Sequence, residues 1–160
     1  FGGWALVKCL QLAFRGYSGM QQIRVSTQTN IGNKPARILN TSALFSAQIG
    51  FWQPELVVSQ GLLQKLDLEH LEAVLAHEQG HYYYRDTFWF FWLGWLRSFT
   101  SWLPNTEALW EELLALRELR ADRWAANRVD PLLLAESLLF VASFRVQMVE
   151  DFCAAFSQSV

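Results

Sequence analysis

Two cysteines, Cys9 and Cys153, are all that this chain of 160 residues contains. They stand far apart and form no CxxC pair, which excludes a zinc knuckle and a disulfide framework and leaves the redox compartment open. Charge is also sparse, at 18% of residues, and a balance of −2 without a basic stripe leaves no footprint for nucleic acid. No run reaches the about eighteen uninterrupted apolar residues that a membrane-crossing helix needs. The nearest, FWFFWLGWLRSFTSWL at 88–103, is broken by Arg97 and stops at Pro104. Internal repeats, low-complexity linkers and the graded pattern of a signal peptide are missing as well. The chain starts with Phe rather than Met, so it reads as a piece of a longer protein.

Apolar and aromatic bulk is what the chain has instead. Hydrophobic residues make up 52% of it, with eight Trp and twelve Phe, enough for one core in one domain over 1–160. Trp89, Trp92, Trp95 and Trp102 crowd residues 88–103 with rings of the kind enriched where lipid meets water. Such a segment either docks on a membrane or on spanning helices of the parent protein, or it is a buried hairpin that uses aromatics as core. Residues 1–20 read as a helix and as the tail of a spanning segment, with Lys8 and Arg15 suiting its cytoplasmic end.

Texture divides the remainder. Over 21–59, Ile23, Val25 and Thr27 alternate with polar residues, a turn-like stretch follows at 30–35, and Leu56, Val57 and Val58 form a further extended run after Pro54. These predict a small sheet of three or four short strands. Over 60–160 the pattern turns helical. Asp67 is an N-cap for a helix carrying Leu68, Leu71, Val74 and Leu75, which runs through His81 and stops near Asp86. A second helical segment covers about 87–103, a third runs from Asn105 or Thr106 to Asn127, and Asp130 with Pro131 opens a fourth. A sheet followed by helices makes an α+β domain.

The sequence His77-Glu78-Gln79-Gly80-His81 is an HExxH motif placed on the first of the longer helices. Residues four apart share a helix face, so both imidazoles can converge on one ion, and a single zinc takes neutral imidazole nitrogens readily. Glu78 projects beside such an ion and suits a general base that takes a proton from water and returns it to a leaving amine. Gly80 inside a helix costs about 1 kcal/mol relative to Ala, which points to something packed closely against it. On the third helix, Glu118 and Asp122 stand one turn apart. Glu118 completes a His₂Glu ligand set, and Asp122 can accept the outer N–H of a ligand imidazole. The bland alternative is a solvated helix whose Arg117, Arg120 and Arg123 pair with these acids. Among other residues, His70 lies too far up the helix to share the ion. Asp86 near the helix end is expected to pair with Arg120 or Arg123. Tyr82, Tyr83 and Tyr84 are expected mainly as core.

The approach GFWQPELVVSQGLL, the helix HLEAVLAHEQGHYYYRD, the aromatic hairpin and the ELRAD element together resemble the gluzincin-type membrane peptidases. The short interval between HExxH and ELRAD is most similar to the BlaR/MecR type of β-lactam sensor-transducers, with the CAAX-processing and heat-shock peptidases as further relatives. Ala121 stands where the sensor-transducers often have Cys. The resemblance implies a membrane-associated zinc endopeptidase facing the cytoplasm, which cuts a protein substrate in signalling or quality control. It makes His77, His81 and Glu118 the zinc ligands, Glu78 the base and Asp122 the acid behind a ligand. It also implies an edge strand at 42–48 that aligns the substrate, with Ser42, Ala43, Leu44 and Phe45 as candidate binding residues. A zinc-stabilised scaffold or sensor that never cuts is the alternative, against which an intact Glu78 argues.

Overall fold

The computed structural model describes residues 27–31 and 34–157, with side chains over 35–144. The helix expected over 1–20, Ile23 and Val25, and the side chains of Cys9 and Cys153 lie outside the described residues.

Among the described residues, four short strands form one sheet: β1 (Thr27–Ile31), β2 (Lys34–Leu39), β3 (Ser46–Ile49) and β4 (Glu55–Ser59), in the order β1-β2-β4-β3. β1 and β2 pair antiparallel down to Ile31 opposite Lys34, so much of the turn-like stretch at 30–35 is strand. β4 lies inside the sheet, parallel to β2 and antiparallel to β3. Its Val57 and Val58 are both fully buried although their side chains alternate, because an inner strand of a covered sheet is apolar on both faces. β3 is left at an edge.

Five helices follow: α1 (Gln60–Lys65), α2 (Leu68–Tyr83), α3 (Asp86–Thr100), α4 (Thr106–Ala126) and α5 (Pro131–Ser157). Ser59 caps α1 by accepting the Leu62 N–H at 3.1 Å, and Asp67 caps α2 by accepting that of His70 at 2.9 Å. Asp130 does the same for Leu132 and Leu133, which starts α5 at Pro131 as expected. The α+β architecture is therefore the predicted one.

α2 is the central post. Leu71 and Val74 join Leu44, Leu56, Val58 and Leu62 in the core against the sheet, while Ala73 and Ala76 pack with Ala125 of α4 and Leu134 of α5. Leu68, expected on the same buried face, is exposed in the first turn before the helix meets the sheet. Small residues let α4 approach closely at Gly80. A Cβ there would lie 3.0 Å from the Ala121 Cα, which is the close neighbour that a glycine in mid-helix foretold.

Candidate active site

The helical spacing of 77 and 81 brings both imidazoles to one side of α2, and the Gly80 contact brings α4 within reach of them. His77 Nε2 and His81 Nε2 are 3.0 Å apart, and Glu118 Oε2 lies 3.4 and 3.5 Å from them. Behind them, His77 Nδ1 is 2.8 Å from Asp122 Oδ1, and His81 Nδ1 is 2.7 Å from Asp86 Oδ2. An ionised carboxylate only accepts, so each Nδ1 carries the hydrogen and donates it, and a neutral ring turns its Nε2 lone pair inward. Two lone pairs and a carboxylate oxygen then face one another with no hydrogen among them. That arrangement is repulsive unless a cation sits between them.

Zinc fits it. A tetrahedral ion with bonds of about 2.0–2.2 Å holds its ligand atoms roughly 3.4 Å apart, close to the triangle found here. Without a metal, a proton has to serve as the cation. Burial alone lowers the pKa of His81, but hydrogen bonds to Asp86 and Glu118 outweigh it and push the imidazole up to about 9. Burial likewise works to raise Glu118, yet His77, His81 and Arg117 hold its carboxyl far below the usual range. Arg117 reaches Glu118 Oε1 with both Nε, at 2.7 Å, and a terminal nitrogen. This clamp occupies one carboxylate oxygen and leaves Oε2 alone facing the imidazoles.

Glu78 is buried, and its Oε1 accepts a 2.8 Å hydrogen bond from Ser46 Oγ at the start of β3. Ser46, Ala47 and Gln48 form one wall of a cavity of about 650 Å³ that also contains His77, Glu78 and His81. The edge strand thus starts at Ser46. Ser42, Ala43, Leu44 and Phe45, expected to bind substrate, do not line this cavity. Leu44 is buried in the core, and Phe45 exchanges hydrogen bonds with Ser59 at 2.8 and 3.0 Å. Gly61 packs under the Ser42 carbonyl, where a Cβ would come within 2.2 Å, and this pins the segment before the strand.

Asp86 departs furthest from expectation. It does not oppose the end of α2, because Tyr83 is the last helical residue and Arg85 turns the chain in a left-handed conformation, φ 54°. Asp86 instead opens α3, where a carboxylate is favourable. It is almost completely buried, and Arg120 donates to its Oδ1, the pairing foreseen, while Oδ2 holds His81. His70 pairs with Asp67 at 2.7 Å and takes no part. Tyr82 and Tyr83, expected as core, are exposed. Arg97, which interrupts the aromatic run, donates to Glu107 at 2.6 Å and lies 5.0 Å from the Trp110 ring centroid. Ser46 and Asp86 were not anticipated in these roles, and Arg117, weighed only as an ion-pair partner of Glu118 and Asp122, also orients Glu118. The only trace of Asp86 in the sequence is its place just past HExxH.

Residues 23–119, more than half of the chain, match the sequence profile of Peptidase family M48. The chain belongs to that family. M48 peptidases are zinc-dependent, and the ring of His77, His81 and Glu118 agrees with that chemistry. The broader part of the resemblance, a metallopeptidase, therefore holds, while the nearer kinship with the sensor-transducers has no match behind it. No curated protein matches the chain.

Proposed function

We propose that this M48 domain is a zinc endopeptidase in which His77, His81 and Glu118 hold one ion and Glu78 is the general base. The triangle of inward-facing ligand atoms, with Glu78 buried beside it, is the observation that carries this reading. When bound, the ion supplies Lewis acidity to the scissile carbonyl and makes the attacking water more acidic. Ser46 fixes one oxygen of Glu78 and leaves the other to take a proton from that water and deliver it to the leaving amine. Asp122 and Asp86 hold the outer N–H of each ring, which keeps both Nε2 atoms basic and aimed inward. β3 is the edge beside these groups, so a substrate backbone adds there as a further strand.

The substrate is a protein or peptide, and the domain is membrane-associated on the cytoplasmic side in this reading. Its support is the outer surface of α3 and the following turn, where Trp89, Trp92, Leu96 and Trp102 are exposed. Among the described residues no helix is long and apolar enough to cross a membrane.

Metal analysis of purified variants tests the core of the proposal. His77→Ala, His81→Ala and Glu118→Ala lose the stoichiometric zinc of the parent, whereas Glu78→Gln keeps it and loses peptide cleavage. Full zinc in the His81 variant would sink the ligand set. A wild-type protein that holds zinc and cuts nothing would favour the silent scaffold.

A further inference from the structure

A second cavity, of about 380 Å³, lies beyond the end of the edge strand. Gly50, with φ +130°, turns the chain after β3, and a Cβ there would meet the Gln53 carbonyl at 2.8 Å. The turn sends Phe51 and Trp52 back toward the helices, where Phe51 packs on Trp52 and Phe88 at 4.9 and 5.1 Å between ring centroids. Tyr83 and Trp124, 5.9 Å apart, stand in the same lining. Although these rings touch one another, Trp52 remains 77% exposed and Tyr83 64%. Exposed aromatics gathered around a hollow are a binding surface more often than a core.

The cavity has one ionised side chain in its lining, that of Arg85, and no acid. Arg85 is a non-glycine residue held in the left-handed region at the corner between α2 and α3, a conformation that costs of order 1 kcal/mol or more and persists where the surroundings impose it. Among the described residues no carboxylate pairs with its guanidinium. Thr87 lines both this hollow and the catalytic cleft, so the two are neighbours. Two polar atoms of this lining, Thr87 Oγ1 and Trp124 Nε1, are buried without a hydrogen-bond partner among the described residues, a rare state in a folded protein.

We propose that this cavity is a substrate subsite that takes a bulky apolar side chain, aromatic by preference, from the peptide segment running past the end of β3, with acidic neighbours favoured through Arg85. The inference rests on the peptidase reading and names the substrate class of the same site. An extended peptide added along β3 continues at about 3.3 Å per residue, so the segment leaving the strand arrives at Phe51 and Trp52 within a residue or two. Rings presenting faces and edges at 4.5–7 Å accept a further ring well, and a guanidinium at the rim repels a basic flank. Peptide is favoured over lipid because Phe51 and Trp52 of the lining directly follow the edge strand, because Thr87 is shared with the catalytic cleft, and because Trp89 and Trp92, the exposed tryptophans of α3, do not line the hollow.

The test is a cleavage profile on a complex peptide mixture, read by mass spectrometry, for the zinc-loaded wild type, Trp52→Ala and Arg85→Glu. Both side chains are exposed, and melting curves confirm that the variants fold. Wild-type cut sites are expected to be enriched in Phe, Tyr, Trp or Leu at one fixed distance from the scissile bond, with Asp or Glu nearby. Trp52→Ala lowers kcat/KM about tenfold for peptides with that residue and leaves the others unchanged. Arg85→Glu inverts the charge preference of the flank. Cleavage with no such enrichment, or with a profile untouched by both variants, overturns the subsite and leaves the peptidase reading standing. Variants that alter vesicle binding but not the profile assign the hollow to lipid. No cleavage by a zinc-loaded wild type removes both proposals.

Discussion

Gly80 and Ala121 meet backbone to backbone, the site of a missing Cβ lying 3.0 Å from one Cα and 3.1 Å from the carbonyl oxygen of the same residue. This contact sets the distance between the helix that carries both histidines and the helix that carries Glu118. A Gly80→Ala change gains about 1 kcal/mol of helix propensity but incurs an overpacking cost of roughly 1–3 kcal/mol. The helices separate by a few tenths of an ångström, and the expected result is a zinc affinity reduced about tenfold with a small loss of stability. Competition against a chelator measures it. An unchanged affinity would mean that the helix spacing does not govern the ligand triangle.

The two carboxylates behind the histidines should respond differently. Asp122→Asn and Asp86→Asn each weaken zinc binding by roughly ten- to a hundredfold, because both leave a ring N–H less firmly held. Only Asp86 is deeply buried and shared with Arg120, so Asp86→Asn also lowers folding stability by about 3 kcal/mol, as the loss of one partner of a buried pair does. Denaturant melts of the metal-free proteins separate the two. Equal stability losses would contradict the burial difference.

Acidity should govern metal uptake over an unusual range. The metal-free protein holds a proton on His81 up to about pH 9, and zinc has to displace it. Affinity therefore rises about tenfold per pH unit from 7 toward 9 and then levels off, with about one proton released per zinc at pH 7. Calorimetry in buffers of different ionisation enthalpy counts that proton. The sign for stability is the reverse. With the folded pKa of His81 above its unfolded value of about 6.5, the metal-free protein has the full benefit below that value and loses it as pH rises through 9. Glu118 acts oppositely, its benefit being present above the usual carboxylate range and lost in acid. A zinc affinity that is flat between pH 7 and 9 would exclude the charged His81.

The aromatic surface gives a separate test. Trp92→Ser with Trp89→Ser should reduce binding to phosphatidylcholine vesicles at least tenfold while zinc content and melting temperature hold, since both rings are half exposed or nearly so. A wild type that ignores vesicles in a sedimentation assay would refute peripheral membrane contact.

Much of the site was legible because helical periodicity is short-range. The i, i+4 spacing within HExxH and within ELRAD determined which side chains could meet, and the glycine between the histidines announced the neighbouring helix. What was not legible depended on where the chain turns. Arg85 ends the α2–α3 corner in a left-handed conformation without glycine or proline, so Asp86 looked like the tail of one helix when it is the head of the next. The edge strand was placed too early for a comparable reason. Residues 42–48 show no break, and only the contact of Ser42 with Gly61, far along the chain, separates the pinned segment from the free strand. The raised pKa of His81 was hidden for the same reason, because Asp86, one of the acids that hold that ring, lies beyond α2 and Glu118, the other, on α4.

The small-residue seam of Ala73, Ala76, Gly80, Ala121 and Ala125 has a consequence for how such a protein can diverge. At its Gly80–Ala121 step a side chain that grows would push apart the helices that carry the metal-facing residues, so a substitution there is felt at the reacting centre as well as in stability. The turn from Gly50 to Pro54 has no such tie, because Trp52 at its tip borders the second hollow and touches no metal-facing residue. If the second hollow is the subsite proposed above, relatives of this design could change what they cut by rewriting a few residues of that turn while the seam stays as it is. Inheritance would then show as constancy along one helix pair and drift at one hairpin.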